Sequence, residues 1–282
     1  MKRAGVIGYP LSHSLSPTIF QAAFDAAGID ARYEKWATPP EELEARITSL
    51  RADDVLGANV TIPHKEAVVP LLDRLDPLVE RLGAVNTIVN DGGRLVGHNT
   101  DVPGFARSLR EDAGYDPSGC RAVVLGAGGA ARAIVIALIE GGAARIDVVG
   151  RTAARAEKLI ADLRPFAKAT ALGTHGANGA LRDAGLIVNC TPLGTRGTYG
   201  DGQSPLAAED IPRNAIVFDL VYNPPETPLV RAARDREAKA VSGLGMLVYQ
   251  AAKSFRLWTG QDAPADVMFE AGRAALGVGV GR

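Results

Sequence analysis

The chain has 282 residues, which suggests roughly two domains at about 150 residues each. Apolar residues make up 46% and charged residues 22%, an ordinary globular composition far from disorder. Lys plus Arg number 31 against 32 Asp plus Glu, so a net charge of −1 offers no basic excess for nucleic acid. No apolar run reaches the ~18 residues a membrane helix needs, so no membrane is expected, and the apolar stretch after Met1 is too short for a signal peptide. Cys120 and Cys190 are the only cysteines and form no CxxC, which excludes a disulfide scaffold and points to the cytoplasm. His13, His64, His98 and His175 show no HExxH or HxxxH spacing, so no metal is expected.

Strand and helix patterns alternate, which predicts an α/β fold with mainly parallel sheets. A strand over 4–7 ends at Gly8-Tyr9-Pro10, and Ser16 reads as the N-cap of a helix with Pro17 at its first position. A strand over 32–36, a helix over 40–50 and a strand over 57–60 follow. Pro63 is expected to open another helix. Residues 85–90 and 95–97 flank the hairpin-like turn Asp91-Gly92-Gly93. A helix over 102–113 and a polar break over 114–119 lead into an all-apolar strand over 121–125. Helix 130–140, strand 145–149, helix 152–163, strands 186–190 and 215–220 and helix 228–238 complete a nucleotide-fold unit. The Gly-rich stretches 172–180 and 195–204 read as loops, the second long enough to be mobile. Two last helices cover 243–258 and 264–276.

Gly126-Ala127-Gly128-Gly129-Ala130-Ala131 fits GxGxx(G/A) between an apolar strand and a helix. There the glycines allow a tight turn, so a pyrophosphate can meet the free N–H groups of the helix N-terminus. An NAD site usually ends the next strand on Asp or Glu, for the ribose diol. Here that strand ends at Gly150-Arg151-Thr152, and Asp147 lies inside it. Arg151 and Arg155, four apart, with the Thr152 hydroxyl, suit a 2′-phosphate and predict NADP. In the first hundred residues, polar side chains gather at strand ends: Ser14 and Ser16, Asn59, Thr61 and Lys65, Asn86, and Asp101. Such a set suits a small polyhydroxylated acid at the carboxyl ends of a sheet.

With Gly8-Tyr9-Pro10…His13-Ser14-Leu15-Ser16-Pro17, Asn59-Val60-Thr61…Pro63…Lys65, Gly83-Ala84-Val85-Asn86-Thr87 and Asn99-Thr100-Asp101…Gly104-Phe105, the sequence resembles the shikimate dehydrogenase family. The likeness continues through Gly126-Ala127-Gly128-Gly129-Ala130, Arg151-Thr152…Arg155, Asp219-Leu220-Val221-Tyr222…Pro224 and Met246-Leu247…Gln250-Ala251, over essentially the whole chain. Phe20-Gln21, Gly150 and His98 depart from the family's commoner residues.

The resemblance implies NADP-dependent, reversible reduction of 3-dehydroshikimate to shikimate, toward chorismate and the aromatic amino acids. It implies a substrate domain over 1–101 completed by 240–282, and a Rossmann-like doubly wound NADP domain over 102–239, with the C-terminal helices returning to the first domain. Segments 100–104 and 239–245 would act as hinges of a cleft that closes on its ligands. Lys65 matches the family's catalytic lysine and Asp101 its paired carboxylate, though Asp101 could equally cap the helix from 102. Ser14 and Ser16 would hold the substrate carboxylate. Asn59, Thr61 and Asn86 would bind ring hydroxyls, with Tyr222 and Gln250 as further contacts. Gly126, Ala127, Gly128, Gly129, Ala130, Arg151, Thr152 and Arg155 would hold the cofactor, and Leu220 and Gly243 would line the nicotinamide pocket. His13, His64 and His98 are expected to be turn or surface residues. A quinate or aminoshikimate relative, and a non-catalytic NADP-binding module, stay as alternatives. The only partner beyond small molecules left open is a second copy, as a homodimer.

Overall fold

The computed structural model describes residues 1–167, 170–173 and 177–278. The chain begins with β1 (Lys2–Gly8), α1 (Ser16–Ala26), β2 (Ala31–Ala37), α2 (Leu43–Ser49), β3 (Val55–Val60), β4 (Arg74–Leu75), α3 (Pro77–Leu82), β5 (Thr87–Asp91), β6 (Arg94–His98) and α4 (Asp101–Glu111). It continues with β7 (Arg121–Leu125), α5 (Gly129–Glu140), β8 (Arg145–Val149), α6 (Ala153–Leu163), β9 (Ala171–Gly173), α7 (Ala177–Leu181), β10 (Leu186–Asn189) and β11 (Ile216–Asp219). It ends with α8 (Pro228–Asp235), β12 (Lys239–Ser242), α9 (Leu244–Thr259) and α10 (Ala265–Ala275). Two compact units result, Met1–Gly104 with Leu247–Arg282, and Phe105–Met246. No helix among the described residues is long and apolar enough to cross a membrane.

The first unit holds a 6-stranded sheet in the order β2-β1-β3-β5-β6-β4. Its β1, β2 and β3 run parallel, while β5 is antiparallel to both β3 and β6. One face is sealed by Ile7, Val60, Ile88 and Leu95 against Leu43 and Ile47 of α2 and Val79 of α3. An aromatic cluster covers α1 and α9: Phe20 stacks on Tyr33 with centroids 4.4 Å apart, and Trp258 lies 5.2 Å from Phe20. Trp258 Nε1 donates to Ile88 O at 2.9 Å beside Gly57, where a Cβ would strike both groups.

The second unit holds a wholly parallel 6-stranded sheet, β12-β11-β10-β7-β8-β9. Counted within the unit this is the doubly wound order 3-2-1-4-5-6, whose switch point lies between β7 and β10. Its core joins Val123 and Leu125 of β7 to Ile187, Val217, Leu229 and Ala233.

Several local expectations need correction. Pro63 opens no helix: the carbonyl of Lys65, which a helix would offer to Val69, instead accepts from Val85 N at 2.8 Å, and Val69 N goes to Glu66 O. Ser16 is the first residue of α1 and not its cap; Leu15 holds the cap position, and Ser14 Oγ accepts from Ser16 N at 3.3 Å. Part of the expected loop 172–180 is the short helix α7, while 174–176, with His175, lie outside the described residues. The stretch 195–204 is a loop as expected, and it carries its own bonds: Gly194 N bonds Gly200 O at 2.7 Å, Gln203 N bonds Gly200 O at 3.1 Å, and Arg196 N bonds Asn223 O at 2.9 Å. Helix α3 is an addition to the expected elements. Asp76 caps it by accepting from Leu78 N, Pro77 opens it, and Gly83 ends it at φ +68.

Candidate active site

Strand β3 ends at Val60, and the turn after it carries Thr61 and Lys65. Asp101 begins α4 just beyond β6. Lys65 Nζ lies 2.5 Å from Asp101 Oδ2, with side chains only 13% and 7% exposed. Asp101 does not cap α4. Asn99 does so, its Oδ1 accepting from Asp101 N at 3.0 Å and Val102 N at 3.3 Å, while its Nδ2 donates to Ala84 O. The helix start is thus satisfied by another residue, and the Asp101 carboxylate is turned to Lys65.

The second oxygen of Asp101 accepts from Asn86 Nδ2 at 2.8 Å. Asn86 Oδ1 in turn accepts from Thr100 N at 2.7 Å and from Thr87 Oγ1 at 3.1 Å. Asn86 Nδ2 also faces Thr100 Oγ1 and Gln250 Oε1. Gln250, on α9, sends its Nε2 to Leu247 O at 2.9 Å. Gly104 permits this approach of α9 to α4, since a Cβ there would lie 2.8 Å from Gln250 Cβ and 2.9 Å from Gln250 N. Below them Asn59 Nδ2 meets Asn86 O, Thr87 Oγ1 and Ser254 Oγ, and its Oδ1 accepts from Tyr33 OH at 2.7 Å. The amides of Asn59, Asn86 and Gln250 therefore have protein partners on both ends, in a buried network where each polar group is answered.

Ser16 and Thr61 behave differently. Their hydroxyls have no hydrogen-bond partner among the described residues. Thr61 N is held to Ile7 O at 2.8 Å, and Gly8 clears room for its methyl, which a Cβ at that position would strike. Ser14 is half-buried at the start of α1. The helix has no acidic residue in its first turn, so its N-terminal end carries uncompensated positive potential.

In the second unit, the turn Gly126-Ala127-Gly128 leaves β7 at its carboxyl end, as the sequence leads one to expect. Gly126 adopts φ +108, which a side chain would strain. Space over Gly128 is open, so a ligand can approach its backbone. Helix α5 starts at Gly129-Ala130 with no side-chain cap and no acid in its first turn, leaving backbone N–H groups for an anion. Arg151 and Arg155 are exposed and have no hydrogen-bond or ion-pair partner among the described residues. Thr152 is the N-cap of α6, yet its side chain makes no capping bond. A cation in the first turn of a helix opposes the helix dipole, so Arg155 costs stability unless an anion sits there. Asp147 is buried and gripped by Arg145 through bonds of 2.7 and 2.9 Å, so its carboxylate is not offered to a ribose. These residues fit a dinucleotide with a 2′-phosphate.

Leu220 and Gly243 lie side by side: Gly243 N bonds Val221 O, and a Cβ on Gly243 would collide with Leu220 O. Tyr222 follows β11 in this second unit. Asp219 has no role assigned from sequence. It is fully buried, and accepts from Asn189 Nδ2, Val221 N and Thr227 Oγ1 at 2.9, 3.0 and 2.6 Å. Burial raises its carboxyl to about 6 despite these donors. Its bond to Thr227 steadies the cap of α8, where Thr227 Oγ1 accepts from Val230 N.

Known proteins resemble this chain along its length. Residues 6–88 match the shikimate dehydrogenase substrate binding domain, 109–196 the shikimate / quinate 5-dehydrogenase domain, and 243–271 the shikimate 5′-dehydrogenase C-terminal domain. The shikimate dehydrogenase (NADP(+)) of Symbiobacterium thermophilum is 48% identical over 281 residues, 96% of this chain and 94% of the relative. That of Methanopyrus kandleri is 46% identical over 273 residues, 95% of this chain and 93% of the relative. Among solved structures, the shikimate 5-dehydrogenase of Thermus thermophilus in complex with NADP(H) and shikimate superposes with a TM-score of 0.87. It is 41% identical, over 98% of this chain and 100% of that one. The quinate dehydrogenase of Corynebacterium glutamicum in complex with NAD has a TM-score of 0.86 at 30% identity, over 96% of this chain and 98% of that one. The chain belongs to the shikimate dehydrogenase family.

Proposed function

We propose that this chain catalyses the NADP-dependent, reversible reduction of 3-dehydroshikimate to shikimate, with Lys65 as proton donor and Asp101 as its partner. The observation that carries the reading is the 2.5 Å Lys65–Asp101 pair, largely withdrawn from solvent at the carboxyl end of the first sheet. Bound NADPH supplies the hydride to the ketone carbon. Lys65 gives its proton to the ketone oxygen as charge builds there, and its ammonium steadies that charge. In the reverse direction Lys65 takes the hydroxyl proton. Asp101 orients the Lys65 side chain through their hydrogen bond, and Asn86 fixes the carboxylate from behind.

Ser14 and Ser16 hold the substrate carboxylate at the start of α1, and Thr61 binds a ring hydroxyl. The open hydroxyls of Ser16 and Thr61 support these roles. Asn59 and Gln250 stand behind this contact layer, since their amides already have protein partners. Tyr222 keeps a substrate contact on the resemblance alone. Gly126 to Ala130 take the pyrophosphate, Arg151, Thr152 and Arg155 the 2′-phosphate, and Leu220 and Gly243 the nicotinamide amide through backbone groups. Residence in the cytoplasm belongs to the same reading, and neither Cys120 nor Cys190 forms a disulfide.

Initial rates with shikimate and with quinate, each with NADP and with NAD, test the proposal. Shikimate with NADP is expected to give the highest kcat/KM. Faster turnover of quinate with NAD would overturn both substrate and cofactor. No turnover with any pair would leave a binding module, a reading the intact Lys65–Asp101 pair disfavours.

A further inference from the structure

The segment that carries Lys65 is not helical, so no ladder of hydrogen bonds holds it. Besides the Lys65–Asp101 pair itself, four tertiary bonds do instead. Thr61 N donates to Ile7 O at 2.8 Å, Tyr9 N to Ile62 O at 3.0 Å, and Val85 N to Lys65 O at 2.8 Å. These three run from backbone to backbone, and most side chains would permit them. The fourth belongs to one side chain: His64 Nε2 lies 2.7 Å from Thr38 O. A carbonyl can only accept, so this nitrogen carries the hydrogen.

His64 is 1% exposed and Thr38 is 1% exposed, while Ile62 on the same turn is 59% exposed. The turn therefore has an open outer edge and, ahead of Lys65 itself, the His64 ring as its inward side-chain anchor. That anchor is tied into the sheet, because Thr38 N donates to Gly8 O at 3.0 Å and Thr38 Oγ1 to Trp36 O at 2.9 Å. Lys65 is the next residue along the chain. A shift of the imidazole displaces the Lys65 Cα, and with it the long, flexible side chain whose ammonium must reach one oxygen atom.

We propose that His64 is a positioning residue for the reaction: its buried N–H, bonded to the Thr38 carbonyl, sets where the Lys65 ammonium stands. The inference rests on Lys65 being the proton donor. It gives His64 no contact with substrate and no proton to transfer.

The test compares His64→Phe, which keeps the ring shape and loses the donor, with His64→Gln, whose amide can restore an N–H near the Nε2 position. His64→Phe is expected to lower kcat by about 5- to 100-fold, the range for misplacing a reacting group by up to about 1 Å. The Kd of NADPH, read by nucleotide fluorescence, should stay within about twofold, because the donor lies outside the cofactor turn. His64→Gln should recover kcat to within about threefold of the parent, since it restores the buried donor. Ile47→Val, a core change on α2 in the same unit, controls for lost stability and should leave kcat unchanged at a similar fall in Tm. Should His64→Phe not fold, His64→Leu takes its place in the comparison. Parental kcat in the donor-less variant, a Gln variant no better than it, or an equal kcat loss in Ile47→Val would each overturn the inference. Lys65→Ala in the same assay keeps the two levels apart. If it retains turnover, the proton-donor reading fails; if it is inactive while His64→Phe is not, only the positioning role fails.

Discussion

Replacing Asp101 by Asn would leave the Lys65 ammonium facing a neutral amide in a place that water reaches poorly. At 2.5 Å separation and an effective dielectric constant near 20, the gross attraction that disappears is about 7 kcal/mol. Much of it is already offset by the hydration both groups lose on burial. Breaking one side of such a pair then costs about 3–5 kcal/mol, because the remaining charge stays buried without a counter-charge. Lys65→Met should be destabilising for the mirror reason, since Asp101 would keep only the Asn86 amide. The double variant Lys65→Met with Asp101→Asn leaves no charge behind, so it should cost no more than either single change, a coupling of at least about 3 kcal/mol. Urea unfolding followed by tryptophan fluorescence suits the measurement. Both tryptophans, Trp36 and Trp258, lie in the unit that contains the pair, so the signal reports that unit. All three variants should lose kcat by about 10²–10⁴-fold, as expected when proton transfer is lost. Costs that simply add, to within about 0.5 kcal/mol, would show the two groups to be energetically independent and would refute the reasoning.

Three further outcomes can be checked. Arg151→Ala combined with Arg155→Ala should weaken NADP by about 10- to 100-fold or more, from lost charge-assisted bonds, and NAD far less; fluorescence titration with both nucleotides decides, and equal weakening would remove the arginines from 2′-phosphate recognition. Asp219 is held at about 6, above an unfolded value near 4, so the folded state binds the extra proton between those pH values. Stability contributed by that proton is full near pH 4 and is lost as pH rises through 6, by up to about 3 kcal/mol. Asp219→Asn should therefore be most inferior to the parent at pH 4, and urea unfolding by circular dichroism from pH 4 to 7 would show a constant gap if the reasoning is wrong. Gly8→Ala should push Thr61 from its place, raising the KM for shikimate and costing about 1–3 kcal/mol, since its Cβ would also lie 2.9 Å from Leu11 Cδ2; an unchanged KM would show that Thr61 does not depend on that clearance.

Much of the fold is written in patterns that local physics can decode. The apolar run Ala122–Leu125 before Gly126 is fully buried on both sheet faces, and so reads as a parallel strand without alternation. The turn at Asp91-Gly92-Gly93 is set by glycines at φ +59 and +87. What resisted reading depends on distant partners. Pro63 looks like a helix opener until Val85, some twenty positions on, takes the Lys65 carbonyl. Asp101 looks like an N-cap until Asn99 does that work two residues earlier, a choice a single Asx side chain can make invisibly. His64 sits between an exposed proline and a lysine, and nothing local signals that its ring is buried against Thr38.

The same dependence on distant partners divides the polar residues expected at the site. Composition and strand-end position cannot separate a side chain that awaits a ligand from one that serves the protein. Hydrogen-bond saturation can. Asn59 answers Tyr33, Asn86, Thr87 and Ser254, and Asn86 answers Thr100, Asp101 and Gln250. To bind a substrate hydroxyl, either amide would have to give up a buried partner at about 1–3 kcal/mol. Ser16 and Thr61 would give up only water. An ammonium with three donors, of which Asp101 occupies one direction, likewise has capacity to spare. Substrate affinity should therefore come chiefly from the hydroxyls and Lys65, while the amide network sets their geometry. Trimming the network by Ser254→Ala should then lower kcat more than it raises KM, whereas Thr61→Val should raise KM first; the opposite pattern would mean that the network itself opens to receive the ring.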